Sequence, residues 1–208
     1  MADTERFLVV HTLKVKGLAS AEDIAVITGR TDLSPVLDEL VVAELVKLRT
    51  GRVGGYALTK EGRELHPQLL AAAVTEEERS GLGRAYDAFV PVNGHFKDVC
   101  TRWQIRSGPD GAQQQPNDHS DEAYDASVVG ELEEVHKKAV AALAPATEAS
   151  PRFGRYEERF TAALERVRAG DRAALARPMS HSYHDVWMEL HEDLLLSLGR
   201  TRDADDGH

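Results

Sequence analysis

Arg30–Arg63, RTDLSPVLDELVVAELVKLRTGRVGGYALTKEGR, is the stretch from which the rest of the chain is read. Ser34-Pro35 is a helix start: a serine hydroxyl can cap orphan amides, and proline at the first helical position gives up no hydrogen bond. The helix is therefore expected from Pro35, with Val36, Leu37, Leu40 and Val41 on its apolar face at spacings of three and four. Leu45, Val46 and Leu48 then read as a strand, Thr50-Gly51-Arg52-Val53-Gly54-Gly55 as a hairpin tip, and Tyr56-Ala57-Leu58 as the returning strand.

Upstream, Thr4 is expected to cap a helix carrying Phe7, Leu8, Val9, Val10 and Leu13, which Gly17 ends by tolerating positive φ. Ser20-Ala21-Glu22-Asp23 has the form of a capping box and opens a short helix with Ile24, Ala25 and Ile27 before Gly29. The order helix, helix, helix, hairpin is complete within about 60 residues, as a winged helix-turn-helix requires for placing its second helix of the pair in a DNA major groove. With the apolar face inward, Thr31, Asp32, Ser34, Pro35 and Asp38 face outward as base-reading candidates. Arg30, Lys47, Arg49 and Arg52 are candidates for phosphate, where cations supply affinity without reading sequence.

At Leu37, Leu40, Val41, Leu45, Val46, Gly54, Gly55, Tyr56, Leu58, Thr59, Glu61, Gly62 and Arg63 the chain resembles the MarR-type winged helix-turn-helix transcriptional regulators, in which LxxLVxxGLV…GGYxLTxEGR is common. The resemblance covers about a third of the chain and implies a cytoplasmic, double-stranded-DNA-binding regulator acting as a homodimer on a palindromic operator. Glu44 departs from the pattern, which usually has a glycine there to close the helix in a left-handed conformation.

The remaining 130 or so residues exceed the short dimerising helices of that family and resemble actinobacterial regulators with an appended, uncharacterised all-helical C-terminal domain. The resemblance lies in WQIR at Trp103–Arg106, NDHSDEAYD at Asn117–Asp125 and SYHDVWMELHEDLL at Ser182–Leu195. Read from periodicity, this part is four amphipathic helices. Thr75-Glu76-Glu77-Glu78 caps the first, with a seam of Leu82, Tyr86, Phe89, Asn93, Phe96, Cys100 and Trp103 that Pro91 should bend. Residues 107–116 read as a loop, a helix after Ser120 as stopped by Pro145, and two more as starting at Ser150-Pro151 and after Pro178. The fold class is thus mainly α with a small β wing: residues 1–70 a winged helix, 75–200 a helical bundle for ligand sensing or dimerisation, and 201–208 a polar tail.

Net charge is −10, with 9 basic and 10 acidic residues in positions 1–70 against 16 and 25 in 71–208, so the acid lies mainly C-terminally. The single cysteine, Cys100, excludes an internal disulfide framework and, placed in the seam, reads as an inert thiol. No apolar run approaches the roughly 20 residues of a membrane span. Catalytic elbows, phosphate loops, zinc-protease pairs and dinucleotide fingerprints are absent, so the chain is read as no enzyme and without a cofactor.

Trp103, Arg106, His119, Tyr124, His184, Trp187 and His191 are the candidates for a small-molecule effector site, combining aromatic walls with polar anchors. His181, His184, Met188 and His191 are expected along one side of the last helix. The bland reading makes these histidines hydrogen-bonded groups at a core edge, and a metal would need His181 with His184, or either with His119 and Asp118; no metal site is assigned. Two other functions remain open: a winged helix that binds protein rather than DNA, since the presumed recognition helix carries Asp38 and Glu39 and no basic residue, and a metal-dependent enzyme in the helical part.

Overall fold

The computed structural model describes residues 2–51, 54–107 and 114–201. It is mainly helical with small two-stranded antiparallel sheets, and its contacts divide it into two compact units, Met1–Arg79 and Ser80–His208. Arg52, Val53, residues 108–113 and all of the tail except Thr201 lie outside the described residues.

In the first unit α1 (Ala2–Lys16), α2 (Ala21–Thr28) and α3 (Ser34–Val42) precede a hairpin of β1 (Val46–Arg49) and β2 (Gly55–Leu58), and α4 (Lys60–Ala73) follows. α1 packs against α2, α3, α4 and β2, so one helix gathers the unit. Val9, Val10 and Leu13 of α1 meet Ile24, Leu33, Val36, Leu37 and Leu40, with Val46 and Leu58 from the hairpin completing the core. The capping box at Ser20 is formed: its hydroxyl accepts the Asp23 amide and the Asp23 carboxylate accepts the Ser20 amide, both at 3.0 Å. Gly17 and Gly29 close α1 and α2 at φ 79° and 67°.

Three details of this unit differ from the sequence reading. α1 begins at Ala2, so Thr4 lies inside it and caps nothing. Ser34 is the first residue of α3 and makes no cap; Leu33 stands at the cap position, its carbonyl accepting the Leu37 amide at 2.9 Å. Pro35 is therefore second in the helix, equally harmless because amides of a first turn have no helical acceptor. Val41 is 38% exposed, and the buried stripe is Leu33, Val36, Leu37 and Leu40, one step back along the helix.

α5 (Glu76–Gln104) starts in the last residues of the first unit and, in the second, leads into a short hairpin of β3 (Ile105–Ser107) and β4 (Gln114–Pro116). α6 (Glu122–Ala149), a 3-10 turn (Pro151–Phe153), α7 (Gly154–Arg168), α8 (Ala173–Ala176) and α9 (Tyr183–Leu198) follow. The cap at Thr75 is formed, with Thr75 and Glu78 exchanging amide bonds at 2.8 and 3.2 Å. Trp187 is the centre of the core, stacked on Phe96 at 4.3 Å and tilted against Phe89 at 4.6 Å, while its indole N–H donates to buried Asn93 at 2.8 Å. That bond explains an asparagine within an apolar seam.

Pro145 does not stop α6, which runs on to Ala149. Buried Ala139, Ala142, Leu143 and Ala146 carry the packed face across the proline, and Gly81 of α5 lets the two helices close in, since a Cβ there would lie 2.5 Å from that of Ala149. Packing thus outweighs the cost of about 3 kcal/mol that proline carries in a helix interior. Part of the expected loop 107–116 is paired strand, and α8 was not expected. Cys100 sits beside the seam rather than in it: Val99 is buried and Cys100 half-buried.

Candidate functional site

The LT-x-EGR segment holds the hairpin to the helices. The Thr59 hydroxyl accepts the Gly62 amide at 3.0 Å, capping α4, and donates to the Glu44 carbonyl at 2.7 Å; the Thr59 amide donates to the Leu45 carbonyl at 3.1 Å. The Arg63 guanidinium donates to the Leu58 carbonyl at 2.9 Å. Gly62 allows α4 to start against β1, because a Cβ there would lie 2.0 Å from the Leu45 oxygen. At the other edge, Tyr56 exchanges backbone bonds of 3.1 and 2.7 Å with Ala19, and Gly55 at φ 150° leaves room for that approach. α3 ends in a paired closure, Glu44 amide to Val41 at 3.0 Å and Leu45 amide to Leu40 at 3.0 Å, with Glu44 at φ 57°. A glutamate thus occupies the left-handed position that glycine fills at least cost.

This frame leaves a set of side chains exposed. Arg30, Thr31, Asp32, Ser34, Pro35 and Asp38 are all exposed, the complement of the stripe buried by α3. Lys47 and Arg49 are exposed two apart on β1, hence on one face of the strand, and among the described residues they and Arg30 form no ion pair. Arg52 lies outside the described residues. Glu39 of α3 stands 4.0 Å from Arg6, a surface pair of small energetic consequence. Val42, 85% exposed, adds apolar surface one turn after Asp38, and Leu48, 56% exposed, lies on the opposite face of β1 from Lys47 and Arg49.

No family model, curated protein or solved structure matches this chain. The geometry therefore carries the functional argument alone.

In the second unit the seven expected effector-site residues fall into two groups. Trp103, Arg106, His119 and Tyr124 gather around the β3–β4 hairpin. The rings of Trp103 and His119 lie 4.5 Å apart, and His119 Nδ1 meets both Asp125 oxygens at 3.0 and 3.1 Å. Asn117 ties Asp125 at 2.9 Å to the Trp103 carbonyl at 3.2 Å. Tyr124 donates to the Arg102 carbonyl at 2.9 Å. The Ser120 hydroxyl and amide hold the Asp118 carboxyl below its usual range, with Arg106 3.6 Å away helping. His119 has φ 59°, and this mesh is what keeps it there.

The other group, His184, Trp187 and His191 on α9, meets α5 at Phe96 and Phe89, seven or more residues before Trp103 and so two turns or more away along that helix. Trp187 is core, and His191 is 3% exposed against the rings of Tyr86 and Phe89. Of His181, His184, Met188 and His191, the last three stand on α9 at spacings of four and three and so share a side, but that side is wet at Met188 and buried at His191, while His181 precedes the helix at φ 52°. The 3.6-residue period places side chains around a helix, but neighbouring elements decide which direction is wet. Among the described residues no group of three metal-ligating side chains could hold a metal ion. Asp185 is engaged with backbone, accepting the amides of Met179, Ser180 and Ser182 at 3.0–3.2 Å.

One polar cluster escaped the sequence reading. Between α7 and α9, Arg152 grips Asp193 at 2.6 and 2.8 Å and Ser197 at 2.8 Å, Tyr156 donates to Asp193 at 2.9 Å, and Arg159 pairs with Glu189. Asp193, Glu189 and Arg159 are all at least nine-tenths buried. Burial and the facing Asp193 carboxylate raise the Tyr156 phenol well above its ordinary range. The signal was present as Glu189, Asp193 and Ser197 at intervals of four on a helix otherwise read by its apolar stripe. Every partner is satisfied, so the cluster fixes the register of two helices. Cys100 is chemically quiet, its thiol pushed by burial up to about 12.

Proposed function

We propose that the first unit is a winged helix-turn-helix that binds double-stranded DNA, and that the chain is a transcriptional regulator. α3 would be the recognition helix and the β1–β2 hairpin its wing. The observation that carries this reading is an exposed set: Ser34, Pro35 and Asp38 on α3, Thr31 shortly before it, and Lys47 and Arg49 on β1, which form no ion pair among the described residues. Hydroxyl and carboxylate groups can meet base edges, an aspartate accepting from a cytosine amino group, while lysine and arginine meet phosphate. The dimer and its two-fold operator belong to the same proposal, because symmetry doubles a contact set too small to bind tightly alone. The second unit would carry effector control, shifting the dimer only by its differential affinity for two states. No cofactor and no catalytic step enter this reading.

One observation favours a second reading. Within α3 the charged side chains, Asp38 and Glu39, are acidic, and Val42, one turn after Asp38, is an exposed apolar group beside them. Such a surface suits a protein partner as well as DNA. Double substitution of Lys47 and Arg49 by alanine separates the two: it lowers the slope of log affinity against log salt by nearly two on DNA, and a protein-only module shows no DNA binding to lose.

A further inference from the structure

The side chains that α3 turns outward form an ordered series. At about 100° per residue, Pro35, Asp38 and Val42 lie within about 35° of the direction opposite the buried Val36, Leu37 and Leu40. All three are exposed, and Val42, at 85%, is the most exposed large apolar side chain among the described residues. The outward midline therefore runs apolar, carboxylate, apolar, with rises of about 4.5 Å from Pro35 to Asp38 and about 6 Å from Asp38 to Val42. Among the described residues the Asp38 side chain forms no hydrogen bond or ion pair, whereas its neighbour Glu39 stands 4.0 Å from Arg6.

This inventory is selective toward a base edge. α3 holds no lysine, arginine, histidine, asparagine or glutamine, so it has no donor fork for the O6 and N7 of guanine and no amide for the paired N6 and N7 of adenine. An ionised carboxylate only accepts, and the amino donors of the major groove are N4 of cytosine and N6 of adenine. Adenine sets its acceptor N7 beside N6, which repels a carboxylate, while cytosine presents N4 with no acceptor on the same base. Val42, one turn on, supplies the apolar surface that meets a thymine methyl, and its rise of about 6 Å is nearly two base-pair steps. A carboxylate that misses an amino group is left among phosphates that repel it, so Asp38 penalises wrong sequences more than it tightens the right one.

We propose that Asp38 specifies a C·G pair in the DNA half-site, accepting from the cytosine amino group, and that Val42 favours a thymine about two pairs away. This rests on the reading of α3 as the recognition helix and names what that helix reads.

The test is selection by the full chain from duplexes carrying about 30 random base pairs, enough for two half-sites one turn apart, followed by sequencing. Wild type, Asp38→Asn and Val42→Ala are compared; both side chains are exposed, and far-ultraviolet circular dichroism checks that each variant is folded. The wild type should enrich the C·G pair. Asp38→Asn should place adenine where the cytosine stood, because an amide meets N6 and N7 together, and Val42→Ala should erase the thymine alone. In anisotropy on the selected duplex, replacing C·G by T·A should weaken the wild type about tenfold and Asp38→Ala less than about twofold. The inference is overturned, with DNA binding intact, if Asp38→Asn leaves every position of the motif unchanged, if the pair it alters is A·T in the wild type, or if Val42→Ala keeps the thymine. If no duplex is retained even at low salt, the regulator reading falls and this inference with it, leaving α3 as a surface for protein.

Discussion

Gly62→Ala is a small change with a large expected effect. The added Cβ would lie 2.0 Å from the Leu45 carbonyl oxygen and 3.0 Å from its carbon. The α4 start and the end of α3 must separate by more than about 1 Å to restore ordinary contact. The Leu45 carbonyl accepts the Thr59 amide at 3.1 Å, and Gly62 itself donates to the Thr59 hydroxyl at 3.0 Å. Losing both costs about 2 kcal/mol, and loosening the neighbouring Leu58 side chain at 3.3 Å adds about 1 more. Alanine returns up to about 1 kcal/mol of helix propensity. The net expectation is destabilisation by about 2 kcal/mol, roughly a thirtyfold loss of amide protection in the first unit. Native-state hydrogen exchange of the Leu45, Thr59 and Arg63 amides reads this directly, since all three donate within the junction. Gly83→Ala is the control: its Cβ meets nothing, so the same substitution should stabilise by about 0.5–1 kcal/mol. Unchanged or increased protection in Gly62→Ala would refute the account of how the hairpin is held.

Other consequences can be measured as simply. Glu44→Gly should stabilise the first unit by about 0.5–1 kcal/mol in urea titrations, because it relieves a left-handed φ of 57° and removes a carboxylate from a helix C-terminus; a loss of stability would contradict this. Asp193→Asn leaves Arg152 facing a neutral partner at a buried site and should cost about 3 kcal/mol, read by the midpoint shift of tryptophan fluorescence, since Trp103 and Trp187 both report on the second unit. Cys100 should react with iodoacetamide at pH 8 about a thousandfold more slowly than an ordinary thiol, given a pKa raised to about 12. The same shift, with those of Tyr156 and Tyr183, sets an alkaline trend. The unfolded chain releases these protons at their ordinary pKa values while the fold retains them. Stability is therefore full below about pH 9 and falls as pH rises toward 12, and a melting temperature flat across that window would refute it.

Local chemistry in this chain was legible wherever one residue type settles a backbone problem. The capping boxes at Ser20 and Thr75, the left-handed glycines 17 and 29 and the hairpin between α3 and α4 were all readable, because caps and turns depend on neighbours in sequence. Pro145 was misread because the packing that carries α6 through it involves Gly81, over 60 residues away. Val41 was placed inward because an apolar side chain at a spacing of four fits the stripe, yet the stripe is completed at its other end by Leu33. The effector set was split because periodicity gives angles around a helix and no distance along it. Trp187 was drawn into the core by Phe89, Phe96 and Asn93, while Trp103 stayed with His119 at the hairpin. The Arg152–Asp193 cluster was invisible for a related reason: charged residues on a helix read as wet until another helix covers them.

The central claim is that the exposed Thr31, Ser34 and Asp38 meet DNA bases and Lys47 and Arg49 its phosphates. Fluorescence anisotropy of the full chain against the DNA upstream of its own coding sequence and against random DNA, over a series of salt concentrations, tests it most directly. The account predicts selective binding to the upstream fragment, with a salt slope that falls when Lys47 and Arg49 become alanine. Failure to bind either DNA even at low salt would contradict it and leave the acidic α3 as a surface for protein.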